Sequence, residues 1–326
     1  MTVVIPTRDR ASLLSETLRS VREQTWPALE IIVADDGSRD STAETVRTAG
    51  ARHLLNPGGG WGPAGGRNAG LQEVRTPFVA FVDSDDLLLP SALAALREAL
   101  TSAPAAPFAF GRAIIARHAA AGWVCEGLIA PARTEIKTLP ASLLARNYVP
   151  SSGALVRTDD ARAVGGFVAN PTHNEDFYFW LHLALRGSPV HVPAIVSVYR
   201  IHAGNLWVAS AGGDYDMVVA LAGRHDVLAP GLPAHLGGRL VEHVADAVHR
   251  RRGWVLADGL RTLLALSPDR GATLRAAASS FRVRRSLYRA GIEAWTRQPE
   301  LRDWLRAFDG KGAAYSETGA ETAGST

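Results

Sequence analysis

The chain has 326 residues, of which 47% are hydrophobic and 21% are charged, a composition typical of a soluble globular protein. No stretch reaches the roughly 18 uninterrupted apolar residues of a transmembrane helix, and the formal net charge of +3 means that any basic surface must be local. The single cysteine, Cys125, excludes an internal disulfide and a cysteine-rich zinc site. From its length we expect one large or two modest domains. We expect the protein in the cytoplasm, because the chain opens with an apolar strand rather than a secretory signal.

The first 55 residues alternate short β-branched runs with longer segments of helical periodicity. These segments are residues 3–5, 11–24, 30–34, 41–49 and 53–55. Such alternation, with turn signals between the segments, predicts an α/β fold with a mostly parallel sheet covered by helices. Ligands of these sheets bind at the carboxyl ends of the strands, where Asp9, the pair Asp35 and Asp36, and the acidic segment 83–86 would all fall.

The most informative segment is an apolar run, residues 78–82, that leads directly into the carboxylates of Asp83, Asp85 and Asp86. In an extended segment side chains repeat every two residues, so Asp83 and Asp85 are expected on one face. Neighbouring carboxylates repel each other unless a cation lies between them, and oxygen-rich sites suit Mg²⁺ or Mn²⁺, which also bind diphosphate oxygens. The segment therefore indicates a metal and nucleotide site. The alternative is an acidic turn that caps the next helix.

Residues 56–70 contain seven glycines and are expected to form a flexible connection rather than a sheet element. Arg67 and Asn68 are expected to open a helix after this connection. A guanidinium and several backbone N–H groups would meet a phosphate there. The alternative is a surface loop with a solvated arginine.

The middle of the chain reads as a helix followed by further strands. The predicted elements are a helix over residues 90–100, strands or a hairpin over 109–124, a strand over 154–156 and closing strands over 190–192 and 195–200. Residues 174–187 predict another helix, with Glu175 and Asp176 in its first turn and Gly187 as its stop. The alternative role for this acidic pair is favourable electrostatics at a helix N-terminus.

The last third of the chain is helical in pattern and rich in arginine. We expect a C-terminal helical region over residues 209–309 and a disordered polar tail over 310–326. Arginines at residues 250–252 and 282–289 favour peripheral contact with a membrane, at its inner face, or with an anionic acceptor. The alternative is a solvated helix face.

Five short segments stand in a particular order along roughly the first 200 residues. They are VVIPTRDR at 3–10, IIVADDGS at 31–38, RNAGL at 67–71, FVDSDD at 81–86 and NED at 174–176. In this order the segments resemble the family 2 glycosyltransferases of GT-A fold. The resemblance implies a Rossmann-like catalytic domain over residues 1–208 and inverting transfer of a sugar from a nucleotide-diphosphate donor, with Mg²⁺ or Mn²⁺ as cofactor.

The resemblance also implies roles for individual residues in donor binding. By position, the nucleotide-binding residues are Thr7, Asp9, Asp36, Arg67 and Asp83, with Asp35 beside them. Asp85 resembles the metal-binding carboxylate of the family. His202 resembles a late histidine that approaches the metal or the diphosphate. Asp86 is a supporting residue that orients water or the donor.

Asp176 resembles the general base of the family, a carboxylate that removes the acceptor proton on the side opposite the leaving diphosphate. Glu175, which faces elsewhere on the helix, is expected to be a positioning group. The metal and Arg67 would stabilise the departing charge. UDP or dTDP is the favoured nucleotide of the donor, although Asp9 stands where an asparagine is common.

Two other functions stay open on the residues alone. A nucleotidyltransferase also uses acidic strand ends and a metal, but it usually carries a glycine-rich signature with a lysine or arginine after the first strand. A nonenzymatic basic adaptor would bind a membrane or nucleic acid through the C-terminal helices, with salt-sensitive binding and no turnover. For the leading interpretation, the acceptor is a lipid-linked glycan, a peptide or a small molecule, and no nucleic-acid partner is expected.

Overall fold

The computed structural model describes residues 1–120, 122–131, 133–168, 175–202 and 269–308 of the chain. Within these residues a nine-stranded sheet forms the centre of the molecule. Helices cover both of its faces.

The parallel half of the sheet is built from the N-terminal part of the chain. Its elements are β1 (Thr2–Thr7), α1 (Ala11–Arg22), β2 (Glu30–Asp35), α2 (Thr42–Thr48), β3 (Arg52–Leu55), α3 (Gly62–Glu73) and β4 (Phe78–Phe81). Strand β1 lies between β2 and β4, and β3 flanks β2, all in parallel orientation. The predicted β-α-β-α-β order of the first 55 residues is confirmed.

Mostly antiparallel pairs complete the sheet. The following elements are β5 (Leu87–Leu88), α4 (Ala92–Ser102), β6 (Phe108–Ala119), β7 (Gly122–Ile129), α5 (Arg133–Ile136), α6 (Ala141–Ala145), β8 (Ala154–Arg157), α7 (Thr158–Ala163), α8 (Glu175–Arg186) and β9 (Val190–Ile201). The strand order is β3-β2-β1-β4-β8-β6-β9-β5, and β7 pairs with β6 outside this path. Because β8 runs antiparallel to both β4 and β6, the sheet is mixed rather than mostly parallel.

The glycine-rich segment differs from its predicted structure. Helix α3 begins at Gly62, so Arg67 lies in the middle of the helix and not at its N-terminus. A Cβ at Gly66 would lie 3.1 Å from the Cβ of Pro6, and a Cβ at Gly70 would overlap the side chain of Val4. These glycines therefore allow α3 to pack closely on β1, which outweighs the low helix propensity of glycine.

The closing strands also differ from the prediction. Strand β9 is continuous from Val190 to Ile201 and includes Pro193, whereas the sequence predicted two strands over residues 190–192 and 195–200. Its parallel pairing with β6 shifts register on both sides of Arg112. A proline cannot donate a backbone hydrogen bond, and strands accommodate it at such irregularities.

Alternate residues of the central strands face two helical layers. Val4 faces the layer that contains α3 and α8, whereas Val3 and Ile5 face α1 and α4. Since both faces are buried, the strand is a nearly continuous apolar run. In the first layer Phe81 meets Phe167 edge-on, with ring centroids 4.8 Å apart, directly below the carboxyl end of β4.

The described C-terminal residues form two more helices, α9 (Arg270–Arg297) and α10 (Pro299–Leu305). A Cβ at Gly291 would lie 2.6 Å from the backbone of Gly127, so α9 approaches β7 closely. Leu301 and Leu305 of α10 join the buried cluster beneath β7. None of the described helices is both long and apolar enough to cross a membrane.

Within the predicted C-terminal helical region, residues 270–297 and 299–305 are helical. Residues 209–268 and the predicted disordered tail, 310–326, lie outside the described residues. The domain boundary at residue 208 stays a prediction.

Replacement of Gly70 by alanine tests the close packing of α3 on β1. We expect Gly70→Ala to lower the free energy of unfolding by about 1–3 kcal/mol, because the added methyl group overlaps the buried Val4. Urea denaturation measures the effect. Gly271→Ala is the matched control, since its Cβ would meet only the ends of flexible side chains, those of Arg275 and Asp269. Equal stability of the two variants would contradict the packing.

Candidate active site

Asp83, Asp85 and Asp86 lie in a tight turn after β4, and residues 83–86 are here named the acidic turn. The N–H of Asp86 donates to the carbonyl of Asp83 at 3.0 Å, so the expectation of an extended segment was wrong. The Thr17 hydroxyl of α1 lies 3.0 Å from the carbonyl of Ser84 and 2.8 Å from that of Asp86. The turn is thereby tied to α1, and its carboxylates point toward different partners.

Arg67 joins the acidic turn to the start of α8. Its guanidinium donates to Asp83 at 2.6 Å and to Glu175 at 2.8 Å, and it lies over the ring of Phe167. Burial would lower the pKa of Arg67, but the two carboxylates outweigh it and raise the pKa above its usual range. Burial raises the pKa of Asp83, against the influence of Arg67. Glu175 is therefore a buried partner of Arg67.

Asp85 is held between two basic side chains. The same carboxylate oxygen, Oδ2, contacts the Arg10 guanidinium and lies 3.0 Å from Nε2 of His202. Burial would raise the pKa of Asp85, yet its hydrogen bond with His202 and the charge of Arg10 hold the pKa below its usual range. Asp85 is therefore a buried, ionised carboxylate at neutral pH.

Both carboxylate oxygens of the buried Asp86 accept hydrogen bonds. Its Oδ2 accepts from the Ser152 hydroxyl at 2.6 Å, and its Oδ1 accepts from the backbone N–H of Arg200 at 3.1 Å. Burial and the neighbouring charges of Asp85 and Asp83 raise the pKa of Asp86 well above its usual range. The Ser152 hydroxyl also accepts from the N–H of Asp83 at 3.0 Å, so this serine links two residues of the turn.

Arg200 of β9 anchors the turn from below. Its side chain is fully buried, pairs with Glu16 of α1 and donates to the carbonyl of Asp85 and, at 3.1 Å, to that of Leu13. Burial lowers the pKa of Arg200, partly offset by Glu16. Because a buried charge is costly without partners, this ion pair fixes α1, the turn and the end of β9 together.

Asp35 and Asp36, at the end of β2, organise the neighbouring loops. Asp35 lies 2.8 Å from Nε2 of His53 and accepts from the N–H of Ser38 at 2.9 Å. Asp36 accepts from the backbone N–H groups of Trp61 and Gly62, at 2.8 and 3.0 Å. The amide groups that begin α3 therefore bind a carboxylate of the protein itself.

Thr7 and Asp9 lie at the end of β1. The hydroxyl of Thr7 is buried and has no hydrogen-bond partner among the described residues. Asp9 is exposed and has a positive φ of 50°. Its N–H donates to the Ser38 hydroxyl at 2.9 Å, and its carboxylate accepts from the N–H of Arg39 at 2.7 Å. These contacts join the ends of β1 and β2.

Asp176 lies in the first turn of α8, beside Glu175. Its Oδ2 accepts from the Asn147 amide at 3.0 Å and from the Ser151 hydroxyl at 3.2 Å. Burial, and then the adjacent charge of Glu175, raise the pKa of Asp176 to about 6. At neutral pH the group is ionised but basic enough to accept a proton. Asn174, the residue before this pair in the sequence segment, lies outside the described residues.

The donor set at Asp85 suits a cation that is shared with a substrate. Oδ2 of Asp85 and Nε2 of His202 lie 3.0 Å apart, and the ionised carboxylate is a good ligand for Mg²⁺ or Mn²⁺. Among the described residues, no group of three or more histidine, cysteine, aspartate or glutamate side chains is arranged to hold a metal by itself. Mg²⁺ is commonly bound by one or two carboxylates together with waters and phosphate oxygens, so the residues present fit such an ion.

The family model for "Glycosyl transferase family 2" matches residues 2–124, which contain β1, the end of β2, α3 and the acidic turn. This matched segment, residues 2–124, belongs to glycosyl transferase family 2. The predicted family is thereby confirmed.

Two relatives illustrate the extent of the family 2 likeness. The GalNAc(5)-diNAcBac-PP-undecaprenol beta-1,3-glucosyltransferase of Campylobacter jejuni is 37% identical over 103 residues, which are 30% of this chain and 33% of that protein. The pre-mycofactocin glycosyltransferase of Mycobacterium tuberculosis is 31% identical over 243 residues, which are 71% of this chain and 49% of that protein. The chain thus matches no more than about half the length of either relative.

Solved structures share the fold of this chain. S. aureus TarS in complex with UDP-GlcNAc has a TM-score of 0.62 and 17% identity, over 96% of this chain and 88% of the other. The mannosyltransferase PcManGT from Pyrobaculum calidifontis, in complex with GDP-Man and Mn²⁺, has a TM-score of 0.55 and 20% identity, over 95% and 86% of the two chains. The predicted α/β GT-A fold is confirmed.

The sequence patterns did not predict the side chains that compensate the negative charge of the site. Arg10 ends one of the recognised segments and Arg200 ends a predicted strand, but their contacts depend on strands that are distant in sequence. Ser151 and Ser152 precede a predicted strand and showed no sign of a role in the site, although both donate to carboxylates there. Asn147 gave no signal in the sequence.

Replacement of Arg67 by methionine tests its role as the link between Asp83 and Glu175. We expect Arg67→Met to lower the free energy of unfolding by about 3–5 kcal/mol at pH 7, because two carboxylates lose their buried partner. Chemical denaturation measures the change. Arg47→Met is the matched control, since the Arg47–Glu44 pair is exposed and is expected to contribute little. Similar stability of both variants would show that Arg67 is not a structural link.

Proposed function

We propose that this chain is an inverting glycosyltransferase that transfers a sugar from a nucleotide-diphosphate sugar to an acceptor hydroxyl. The observation that carries the proposal is one connected network at the carboxyl ends of the strands. In it Arg67 binds both Asp83, in the donor-binding segment, and Glu175, the neighbour of the proposed base Asp176. Donor site and base are thus held in one geometry, as displacement at a single carbon requires.

Asp176 is the proposed general base. A carboxylate with a pKa of about 6 is ionised at neutral pH and still accepts a proton more readily than an ordinary aspartate. The donors Asn147 and Ser151 both bind Oδ2 and orient the carboxylate. During transfer, Asp176 would take the proton of the acceptor hydroxyl while that oxygen forms the bond to the anomeric carbon and the diphosphate leaves from the opposite side.

The proposed donor pocket lies between the ends of β1 and β4. Among the described residues the buried Thr7 hydroxyl has no protein partner, which leaves it available to a nucleobase. Arg67 and Asp83 border the pocket from α3 and the turn. Asp9 and Asp36, together with Asp35, hold the loops that form its other wall. UDP or dTDP is the proposed nucleotide, in line with the UDP-GlcNAc bound by TarS.

Asp85 and His202 are the proposed holders of a divalent metal, Mg²⁺ or Mn²⁺, with Asp86 supporting the turn. When bound, such an ion supplies positive charge to the leaving diphosphate. The mannosyltransferase of the same fold was solved with Mn²⁺. Arg10, which contacts Asp85, and Arg67, which contacts Asp83, add positive charge from the protein itself.

A lipid-linked glycan is the acceptor class that we favour over a peptide or a small molecule. The Campylobacter relative is named for an undecaprenol diphosphate-linked substrate. We propose that transfer takes place at the cytoplasmic face of a membrane, without a nucleic-acid partner.

Replacement of Asp176 by asparagine tests the proposed base. Release of nucleoside diphosphate from a panel of UDP-, dTDP- and GDP-sugars, with an undecaprenyl diphosphate-linked sugar as acceptor, measures transfer. We expect Asp176→Asn to lower kcat by about 10²–10⁴-fold, because no group then accepts the proton. Asp159→Asn, an exposed aspartate in the first turn of α7, is the matched control and should keep full activity.

The pH dependence provides a second test of Asp176. In the wild type kcat/KM should fall below a pH of about 6, because protonation removes the base. The pKa is raised in the native state, so ionisation of Asp176 costs stability as the pH rises from about 4 to 6. Asp176→Asn should therefore be at least as stable as the wild type at pH 8. A fully active or unfolded variant would contradict the assignment.

Replacement of Arg10 by glutamine tests the metal position without any turnover. Arg10 contacts Oδ2 of Asp85, the carboxylate proposed to hold the metal, so its guanidinium would compete with the ion. We expect Arg10→Gln to bind Mn²⁺ more tightly, on the order of tenfold, as measured from free Mn²⁺ by electron paramagnetic resonance. Arg8→Gln is the control, because Arg8 lies 3.9 Å from Asp36 instead. Weaker Mn²⁺ binding in Arg10→Gln would argue against competition at Asp85.

A further inference from the structure

Helix α9 is strongly cationic. Its 28 residues include seven arginines and one glutamate, an imbalance that the whole chain, at +3, does not share. One side of the helix packs against the rest of the protein. Gly291 lies close to the backbone of Gly127, and Leu287 and Ala294 pack on the cluster beneath β7. On the opposite side, the described side chains at residues 274, 275, 288, 289 and 292 are exposed.

The solvent side of α9 carries an apolar stripe, defined by Leu274, Tyr288 and Ile292. The three side chains are 50%, 52% and 37% exposed. Tyr288 and Ile292 are one turn apart, and Leu274 lies about five turns before Ile292, so all three share one face over roughly 27 Å. The other exposed large apolar residues of the described chain lie outside α9: Trp26, Leu29, Leu55, Val124, Ile136 and Val168.

Cationic side chains stand beside this stripe. Arg289 is exposed next to Tyr288, and the Arg275 side chain is exposed next to Leu274, with only a 4.0 Å contact to Asp269. A helix with an apolar stripe, an interfacial tyrosine and flanking arginines has the composition of helices that lie in the headgroup region of a bilayer. Its charge is complementary to anionic lipid.

We propose that the stripe and its flanking arginines dock this protein on an anionic lipid surface, with α9 lying in the plane of the membrane. Nucleic acid would use the arginines but would leave the three apolar side chains in water, so lipid is the better match. Docking of this kind would bring the molecule to lipid-linked acceptors. Docking does not require the transfer activity proposed above, so an experiment can contradict either proposal without contradicting the other.

Cosedimentation of the full chain with vesicles tests this surface. We expect binding to mixed phosphatidylcholine and phosphatidylglycerol vesicles, and little binding to phosphatidylcholine alone. The double variant Tyr288→Gln with Ile292→Gln should bind about tenfold more weakly, and Arg289→Gln about fivefold more weakly. Leu29→Gln, which removes an exposed apolar residue far from α9 in sequence, is the matched control and should bind like the wild type.

Three results would overturn the proposal. One is unchanged vesicle binding by the double variant while its thermal unfolding matches that of the wild type. Another is preferential binding to duplex DNA in place of anionic vesicles. The third is a dimer, detected by light scattering, that the same substitutions dissociate, since the stripe would then be covered by a second copy of the chain. Nucleotide binding, measured on the same samples, reports separately on the proposed function.

Discussion

The acidic turn places three carboxylates within four residues, and the geometry of the site depends on how their charge is compensated. Like charges in a poorly solvated position repel, and each must find a counter-charge, a hydrogen-bond donor or a proton. Asp83 finds Arg67, Asp85 finds Arg10 and His202, and Asp86 finds Ser152. A different element of the fold compensates the charge of each carboxylate, so the turn holds those elements in fixed positions.

This compensation explains how distant segments form one site. Arg67 pairs with Asp83 of the turn and with Glu175, the first residue of α8, and so fixes the position of the neighbouring Asp176. Arg200 links the turn to α1 through its ion pair with Glu16. The pKa values of the turn and of Asp176 thereby diverge: that of Asp85 is held low, and that of Asp176 is raised to about 6. Divergent pKa values are what metal binding and proton transfer require of neighbouring carboxylates.

Local patterns predicted much of the fold. The β-branched runs of β1 and β2, and Gly187 after α8, located their elements because strand alternation and helix stops are encoded by neighbouring residues. The early start of α3 was not predictable in this way, since glycine disfavours helix and only contact with β1 reveals why glycine is needed. The same holds for Arg10: its partner is decided by the juxtaposition of β1 and β4 in the sheet.

The most direct measurement is thermal unfolding of the wild type and of Asp85→Asn with UDP, dTDP and GDP, each with and without Mn²⁺. If the acidic turn binds a nucleotide diphosphate through a shared cation, one nucleotide will raise the Tm of the wild type only when Mn²⁺ is present. The same nucleotide and metal will leave the Tm of Asp85→Asn unchanged. Stabilisation that is equal in both proteins, or that does not need the metal, would contradict a donor site at Asp85.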